Sequence, residues 1–210
     1  MGIYVQYGCG SCAPKDWINF DASPTLKVQK TPVVGFLLRK KLNAIFPENA
    51  KCGDIVKGLP IKEKSCDGVF CSHVLEHLSY EDFIKAIVNT HKILKPNGIF
   101  RLVMPDLENL ISSYIKNKED NNREAATHFV KNTLMGQEKR TKGMRALLES
   151  IFGNSRHLWL WDKDAAIVEL EKVGFKAIRA CEFNDCEDEM FKLVESEDRF
   201  QGSIGLEMRK

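Results

Sequence analysis

Hydrophobic residues along the chain follow two kinds of pattern. Near-continuous apolar runs with the length of buried strands occur at residues 3–7, 17–21, 66–73, 98–105, 175–183 and 202–210. Between several of them, apolar residues recur with helical spacing, at residues 33–46, 80–95, 106–118 and 165–173. Strands that alternate with helices predict an α/β fold: a Rossmann-like, doubly wound and mostly parallel sheet with helices on both faces.

The alternation fails at two places. Only residues 8–16 separate the first two predicted strands, and Pro14 lies among them, so the first crossover has no room for a full helix. After the strand at 98–105 the chain stays polar, basic and helical in pattern. We therefore predict a single domain over residues 1–210, with residues 107–160 as a helical insertion or cap within it.

Composition narrows the class of protein. The chain has 210 residues, 43% hydrophobic and 29% charged, as expected for a soluble globular domain. A net charge of +2 gives no electrostatic reason to expect a nucleic acid partner, and no apolar segment approaches the ~20 residues of a membrane span. The start of the chain lacks the pattern of an export signal, and its seven cysteines are expected to be reduced thiols. These features predict a cytoplasmic protein.

A glycine turn follows the first predicted strand. Gly8, Gly10 and Ala13 fit the relaxed dinucleotide pattern G-x-G-x-x-A, but Asp21 comes only 11 residues after Gly10, earlier than the ~20 of that pattern. A glycine turn still lets a ligand approach the backbone, and Asp21 could accept hydrogen bonds from a ribose diol. Asp54 could accept one from an exocyclic amine such as that of adenine. The alternatives are a strand-ending turn with a surface aspartate, and a turn-forming Asp54.

A possible metal motif follows the strand at 66–73. His73, Glu76 and His77 have the spacing H-x-x-E-H, in which zinc peptidases use two histidines as ligands and the glutamate as base. Here the three residues cross from a strand to the next helix, so the imidazoles are not expected to share one helix face. We predict no metal. The alternatives are that these residues line a cofactor site or pack at a turn.

The motifs together resemble a known family. YGCG (7–10), Asp21, GDIVKGLP (53–60), CDGVFCSHVLEHL (66–78), ILKPNGIFRLVMPDLENL (93–110) and GFKAIRACEF (174–183) occur in the order found in class I S-adenosylmethionine-dependent methyltransferases. The chain is most similar to a group of short bacterial members with an abbreviated first crossover. The resemblance implies methyl transfer from S-adenosylmethionine, which leaves S-adenosylhomocysteine as product.

The resemblance also implies cofactor contacts. The turn at Tyr7, Gly8, Cys9 and Gly10 would face the methionine part, and Asp21 would hold the ribose. The adenine would lie against Asp54 and Ile55, and the sulfonium end against Ser72 and His73.

The acceptor side is less defined in the sequence. A base is needed only if the acceptor is protonated at working pH, and the candidates for a catalytic base are His73 and His157. Arg156, His157 and Trp159 are predicted to bind the acceptor, a small molecule or a saccharide. Alternatively, Trp159 and Trp161 anchor their loop to the core. Two other functions stay open: a non-catalytic S-adenosylmethionine-binding module, and a zinc hydrolase that uses His73, Glu76 and His77.

Overall fold

A computed structural model describes residues 2–32, 45–138 and 156–210. The helix predicted over residues 33–46 lies outside this part of the chain, apart from its last two residues, as does most of the later half of the predicted insertion. The single-domain boundary and the cap over residues 107–160 stay predictions.

The sheet confirms the predicted α/β class. In the described residues it has seven strands in the order β3-β2-β1-β4-β5-β7-β6. Neighbours from β3 to β5 are parallel, whereas β7 is antiparallel to both β5 and β6. The strands are β1 (Tyr4–Tyr7), β2 (Ile18–Asp21), β3 (Lys51–Cys52), β4 (Cys66–Ser72), β5 (Leu94–Pro105), β6 (Lys176–Ala180) and β7 (Ser203–Arg209).

Helices lie between the strands. In the described residues they are α1 (Pro24–Lys30), α2 (Tyr80–Ile93), α3 (Leu107–Glu119), α4 (Ala125–Asn132), α5 (Lys163–Val173) and α6 (Glu197–Phe200). Single turns of 3-10 helix form at Leu75–His77 and Glu189–Leu193. Within these ranges no helix is both long enough and apolar enough to cross a membrane.

The start of α2 follows from its sequence. Ser79 precedes the helix, and its hydroxyl oxygen accepts a hydrogen bond from the backbone N–H of Asp82 at 3.3 Å, as the sequence predicts. One face of α2 then buries Phe83, Ala86 and Ile87 against the sheet. The helix fixes the direction in which the chain leaves β4, and therefore the position of the turn between them.

Strand β5 begins earlier than predicted. Its predicted start was residue 98, after Pro96, but Leu94 already pairs with Cys66 of β4. The register then shifts before Gly68 pairs with Ile99, which accommodates the residues around Pro96 as an irregularity. Burial of Leu94 in the core stabilises this early pairing.

The first crossover is short, as predicted. Residues 8–17 form turns, closed by hydrogen bonds from Cys12 N to Cys9 O at 2.9 Å and from Trp17 N to Pro14 O at 3.2 Å. The buried side chain of Gln6 donates to the carbonyl of Cys12 at 2.7 Å, which ties this loop to β1. Strand β2 therefore returns directly beside β1 without a helix.

Candidate cofactor and acceptor site

The predicted cofactor residues lie at one edge of the sheet. Strands β1 to β4 are parallel, so their carboxyl ends meet at the same edge. In this register Asp21 is paired with Cys52, and the backbone N–H of Gly53 donates to the carbonyl of Asp21 at 3.1 Å. The loop that carries Asp54 therefore begins at the end of β3, next to Asp21 at the end of the neighbouring strand β2.

Asp21 also holds the glycine turn. One carboxylate oxygen accepts the backbone N–H of Gly10 at 3.1 Å, and the other accepts that of Ser23 at 2.8 Å. Asp21 is 9% exposed, and each oxygen keeps a lone pair for a further donor. The aspartate thus connects the end of β2 to the turn after β1, and it remains an acceptor at the sheet edge.

The two glycines of the turn have different surroundings. Gly8 has φ +73°, and a Cβ added there would lie 2.0 Å from Cγ2 of Val74, so the turn packs directly on the chain after β4. Gly10 has φ +53°, and an added Cβ would meet no atom of the described residues within 4 Å. There is space for a ligand beside Gly10 but not beside Gly8.

Two of the predicted cofactor side chains point into the protein. Tyr7 is buried, its hydroxyl lies 3.1 Å from that of Thr90, and burial raises its pKa well above the usual value. Burial, with the nearby charge of Asp21, raises the pKa of Cys9 to about 12. The Cys9 thiol packs in a small cluster with Leu26 and Phe46. These two residues present backbone rather than side chain at the turn.

The Asp54 loop is held by α2. The carboxylate of Asp54 accepts the backbone N–H of Val56 at 3.0 Å, and Ile55 is buried. The side-chain amide of Asn89 donates to the carbonyls of Ile55 and Val56 at 2.8 and 3.1 Å. Sequence analysis missed Asn89, because a polar residue on a helix gives no sign of which distant loop it binds.

A buried carboxylate lies beyond the end of β4. Glu76 is 1% exposed, and its Oε1 lies 3.4 Å from Nδ1 of His73, 3.9 Å from Nε2 of His77 and 3.9 Å from Nε2 of His157. Neither oxygen has a hydrogen-bond partner within the described residues, and the same is true of the buried hydroxyl of Ser72. Three imidazoles therefore surround one carboxylate at the edge where Ser72 ends β4.

Backbone hydrogen bonds bring His157 to this place. The N–H groups of Leu158 and Trp159 both donate to the carbonyl of Glu76, at 2.7 and 3.2 Å. The carbonyl of Arg156 lies 2.9 Å from Nδ1 of His77. The segment 156–161 is thereby fixed against the turn Leu75–His77.

The two tryptophans of this segment differ. Trp161 is 4% exposed and packs on Phe83 with ring centroids 4.3 Å apart, so it anchors the segment to the core, as one alternative predicted. Trp159 is 43% exposed and contacts Tyr80 at 5.2 Å. Arg156 is exposed as well. Trp159 and Arg156 are accessible to an acceptor, whereas Trp161 is structural.

The two predicted bases differ in their electrostatics. Burial acts to lower the pKa of His73, but contacts with Glu76 and with the carbonyl of Arg199 outweigh it and raise the pKa above its usual value. Burial lowers the pKa of His157, and the nearby Glu76 offsets this only partly. The assignment of these two histidines as bases stays a prediction.

The observed edge fits a nucleoside-bearing ligand. There is space beside Gly10, a carboxylate acceptor at Asp21 and a partly exposed carboxylate at Asp54, and the hydroxyl of Ser72 has no partner among the residues that the structure describes. These are the kinds of group that bind ribose, an exocyclic amine and an amino-acid tail.

Comparisons with known proteins address the family. A family model described as a methyltransferase domain matches residues 5–102, from β1 into β5. No curated protein matches the sequence. A structure of an S-adenosylmethionine-dependent methyltransferase from Thermotoga maritima aligns with a TM-score of 0.50 and 14% identity, covering 100% of this chain and 83% of the other.

Two further solved structures show the same level of likeness. An S-adenosylmethionine-dependent methyltransferase from Archaeoglobus fulgidus aligns with a TM-score of 0.49 and 16% identity, covering 100% of this chain and 86% of that one. The 1,6-didemethyltoxoflavin-N1-methyltransferase of Burkholderia thailandensis, with S-adenosylhomocysteine bound, aligns with a TM-score of 0.49 and 10% identity, covering 100% and 71%. Sequence identities this low indicate a similar fold and nothing about function. Residues 5–102 match the methyltransferase-domain family, and the sheet order and the ordered motifs are those of a class I S-adenosylmethionine-dependent methyltransferase.

Proposed function

We propose that the cofactor of this methyltransferase lies at the carboxyl edge of β1 to β4, with its ribose against Asp21. The observation that carries the proposal is the position of the Asp21 carboxylate, which binds Gly10 N–H at 3.1 Å beside the space at that glycine. The backbone of Tyr7, Gly8 and Cys9 would contact the methionine part. Asp54 and Ile55 would contact the adenine, and Ser72 and His73 the sulfonium end.

S-adenosylmethionine supplies a methyl group that is already activated by the positive charge on sulfur. The residues of this chain therefore contribute chiefly by holding donor and acceptor in line and by excluding water, which can supply about 7–11 kcal/mol in favourable cases. The carboxylate of Asp21 suits this role because its bond to Gly10 orients it before any ligand binds. A hydrolytic zinc enzyme is not supported, since the family match is to methyltransferases.

We place the acceptor against segment 156–161. Its support is the pair of hydrogen bonds from Leu158 and Trp159 to the carbonyl of Glu76, which hold the segment near the end of β4. Arg156 and Trp159 are exposed there and would bind the acceptor by charge and by stacking. His157 is 7% exposed and lies beside Glu76. We assign it to the acceptor side because of that position.

The acceptor class we propose is a small molecule or a saccharide. A net charge of +2 offers no broad cationic surface for nucleic acid. All seven cysteines are free thiols, which fits a reducing compartment, and we propose the cytoplasm as location.

Calorimetric titration with S-adenosylmethionine and with S-adenosylhomocysteine tests the cofactor site. We expect the wild type to bind both, and Asp21→Asn to bind each at least about 10-fold more weakly, because the amide nitrogen cannot accept a hydrogen bond from a ribose hydroxyl. Asp67→Asn is the matched control, since Asp67 lies near the opposite end of β4 and binds Lys95 at 2.7 Å. Equal affinities in wild type and Asp21→Asn would disprove the ribose assignment. Binding without methyl transfer to any acceptor would favour a non-catalytic module.

A further inference from the structure

We propose that Glu76, His77 and His157 form a site for one divalent metal ion such as Zn²⁺, at the carboxyl edge of the sheet. This goes beyond the methyltransferase function and does not depend on the cofactor assignment. The ligand set also differs from the H-x-x-E-H pattern of the sequence, because its third member comes from segment 156–161 instead of from His73.

The spacing of the three side chains fits a single ion. One ligand atom from each residue lies within 4.8 Å of the other two. Oε1 of Glu76 is 3.9 Å from Nε2 of His77 and 3.9 Å from Nε2 of His157. A tetrahedral zinc ion with bonds of about 2.0–2.1 Å holds its ligand atoms about 3.4 Å apart. The two Glu76 contacts would each contract by about half an ångström, and the two histidine nitrogens, which lie within 4.8 Å of each other, would approach by up to about 1.4 Å, through side-chain torsions.

The hydrogen bond of His77 favours metal binding. Its Nδ1 lies 2.9 Å from the carbonyl oxygen of Arg156, and a carbonyl can only accept, so Nδ1 carries the proton. In the neutral ring Nε2 is then unprotonated and faces the carboxylate of Glu76. A lone pair that faces a carboxylate is repelled unless a cation lies between them. Histidines that bind metals in proteins commonly donate their other N–H to a carbonyl in this way.

His73 has the same arrangement toward the same oxygen of Glu76. Its Nε2 lies 2.8 Å from the carbonyl of Arg199, so the proton of the neutral ring is on Nε2. Nδ1 then faces Oε1 of Glu76 at 3.4 Å. In their neutral forms, two imidazoles thus direct a nitrogen without a proton at the same buried carboxylate oxygen.

Burial of the Glu76 carboxylate favours a cation beside it. Glu76 is 1% exposed, and neither of its oxygens accepts a hydrogen bond within the described residues. An ionised carboxylate without a partner is costly away from water. A single proton would satisfy one of the three imidazole contacts, whereas one divalent ion would satisfy the carboxylate, His77 and His157 together.

The ligand types indicate which ion would bind. Imidazole and carboxylate together suit Zn²⁺ and similar first-row ions better than Mg²⁺ or Ca²⁺, which prefer oxygen ligands. Three protein ligands would leave one coordination position for water or for an oxygen atom of the acceptor. The ion would also tie segment 156–161 to the turn Leu75–His77, in addition to the backbone bonds already present.

Metal titration of the full chain without a histidine tag tests the site. After treatment with EDTA, we expect the wild type to bind one equivalent of Zn²⁺, and one of Co²⁺ with the visible absorption of a four-coordinate ion. His77→Gln and His157→Gln should each bind Zn²⁺ more than about 100-fold more weakly than the wild type. Removal of a metal ligand costs more affinity than removal of a residue that only hydrogen-bonds to a ligand, which costs about 10–100-fold. His128→Gln is the matched control, since His128 lies on α4 with a side chain that is 49% exposed.

Circular dichroism of each variant separates loss of the site from loss of the fold. If either histidine variant fails to fold, Glu76→Gln keeps the shape of the side chain and removes its charge, and it should lose the ion as well. Zinc should raise the Tm of the wild type and of His128→Gln, but not that of His157→Gln.

Three outcomes would overturn the proposal. One is a wild type that binds no metal, as a proton in place of the ion would give. Another is a wild type that binds Zn²⁺ no more tightly than His77→Gln and His157→Gln do. The third is a Co²⁺ spectrum with thiolate charge-transfer bands, which would place the ion on cysteines such as Cys12 or Cys52, both of which are exposed.

Discussion

Gly8 and Gly10 are two residues apart but meet different constraints. Both have positive φ, at +73° and +53°, which costs a residue with a Cβ about 1–2 kcal/mol. Gly8 in addition packs against Val74, with 2.0 Å between an added Cβ and Cγ2, whereas Gly10 has space. Gly8 therefore serves packing between two turns, and Gly10 lies beside the open space in which we propose that the ligand binds.

Alanine substitutions should separate these two roles. We expect Gly8→Ala to lower the free energy of unfolding by about 1–3 kcal/mol more than Gly10→Ala, through the overlap with Val74. Gly10→Ala should weaken the binding of S-adenosylmethionine, and it should lower the free energy of unfolding less than Gly8→Ala does. Urea unfolding and calorimetric titration measure the two effects. Equal destabilisation by both variants would show that Val74 moves aside without cost.

His91 provides a pH dependence of stability. Burial, followed by the charge of Lys210, lowers its pKa in the folded protein, and its ring packs on Phe175 at 5.0 Å. Below the ordinary histidine pKa of about 6.5, the unfolded chain binds a proton that the folded protein resists. The stabilising contribution is therefore present above about pH 6.5 and is lost as the pH falls through the folded pKa.

The contribution of His91 to this pH dependence is measured by comparing the wild type with His91→Gln. Between about pH 7.5 and 5.5, we expect the free energy of unfolding of the wild type to fall more steeply than that of the variant, by less than about 1.4 kcal/mol per pH unit. Denaturant unfolding at several pH values provides the slopes. A parallel pair of curves would contradict the lowered pKa.

At the scale of elements, helix starts follow local chemistry. Asp162 precedes α5, and its carboxylate accepts the backbone N–H of Ala165 at 2.8 Å, as Ser79 does for α2. Such caps satisfy N–H groups that have no partner within the helix. By contrast, the short helix α1 was not predicted, although Pro24 at its start and the cap at Ser23 are typical signals.

The cap of α5 should contribute measurably to stability. We expect Asp162→Ala to lower the free energy of unfolding by about 1 kcal/mol through the loss of the hydrogen bond to Ala165. Asp164→Ala is the control, because the exposed Asp164 lies in the first turn and contributes only about 0.3–1 kcal/mol through the helix dipole. Chemical denaturation of both variants measures the difference, and a larger loss for Asp164→Ala would rule out the capping role.

At the scale of the whole molecule, a buried arginine joins the last strands to the loop before them. Arg101 of β5 is fully buried and forms ion pairs with Glu195 and with Glu207 of β7, the latter at 3.1 Å. It also donates to the carbonyls of Glu182 and Asp185, both at 2.7 Å. Every partner is distant in sequence, so this network holds the antiparallel edge of the sheet to the core.

Removal of this arginine should be strongly destabilising. We expect Arg101→Met to cost about 3–5 kcal/mol, because the buried Glu195 loses its ion-pair partner and the buried Glu207 loses one of its two. Arg179→Met is the comparison: Arg179 binds the same Glu207 at 2.6 Å, but its side chain is 35% exposed, so the expected loss is about 1 kcal/mol or less. Urea unfolding measures both. A loss of similar size in the two variants would mean that the burial of Arg101 does not determine how much its ion pairs contribute to the free energy of unfolding.

The sequence by itself determined what depends on neighbouring residues. The apolar runs predicted most of the strands, Ser79 predicted the start of α2, and the short spacing to Asp21 predicted a first crossover without a helix. The ordered motifs also indicated the methyltransferase family and the sheet edge at which Asp21 lies.

Tertiary structure decided which distant side chains meet. The spacing H-x-x-E-H pointed to His73 and His77, but the fold brings His157 to Glu76 across 80 intervening positions in the chain, a contact that no local pattern encodes. Arg101 lies in a near-continuous apolar run, and only the placement of β7 and residues 182–195 supplies its partners. Local propensity acts over a few residues, whereas the charges of a buried site are balanced by whatever the fold brings within a few ångströms.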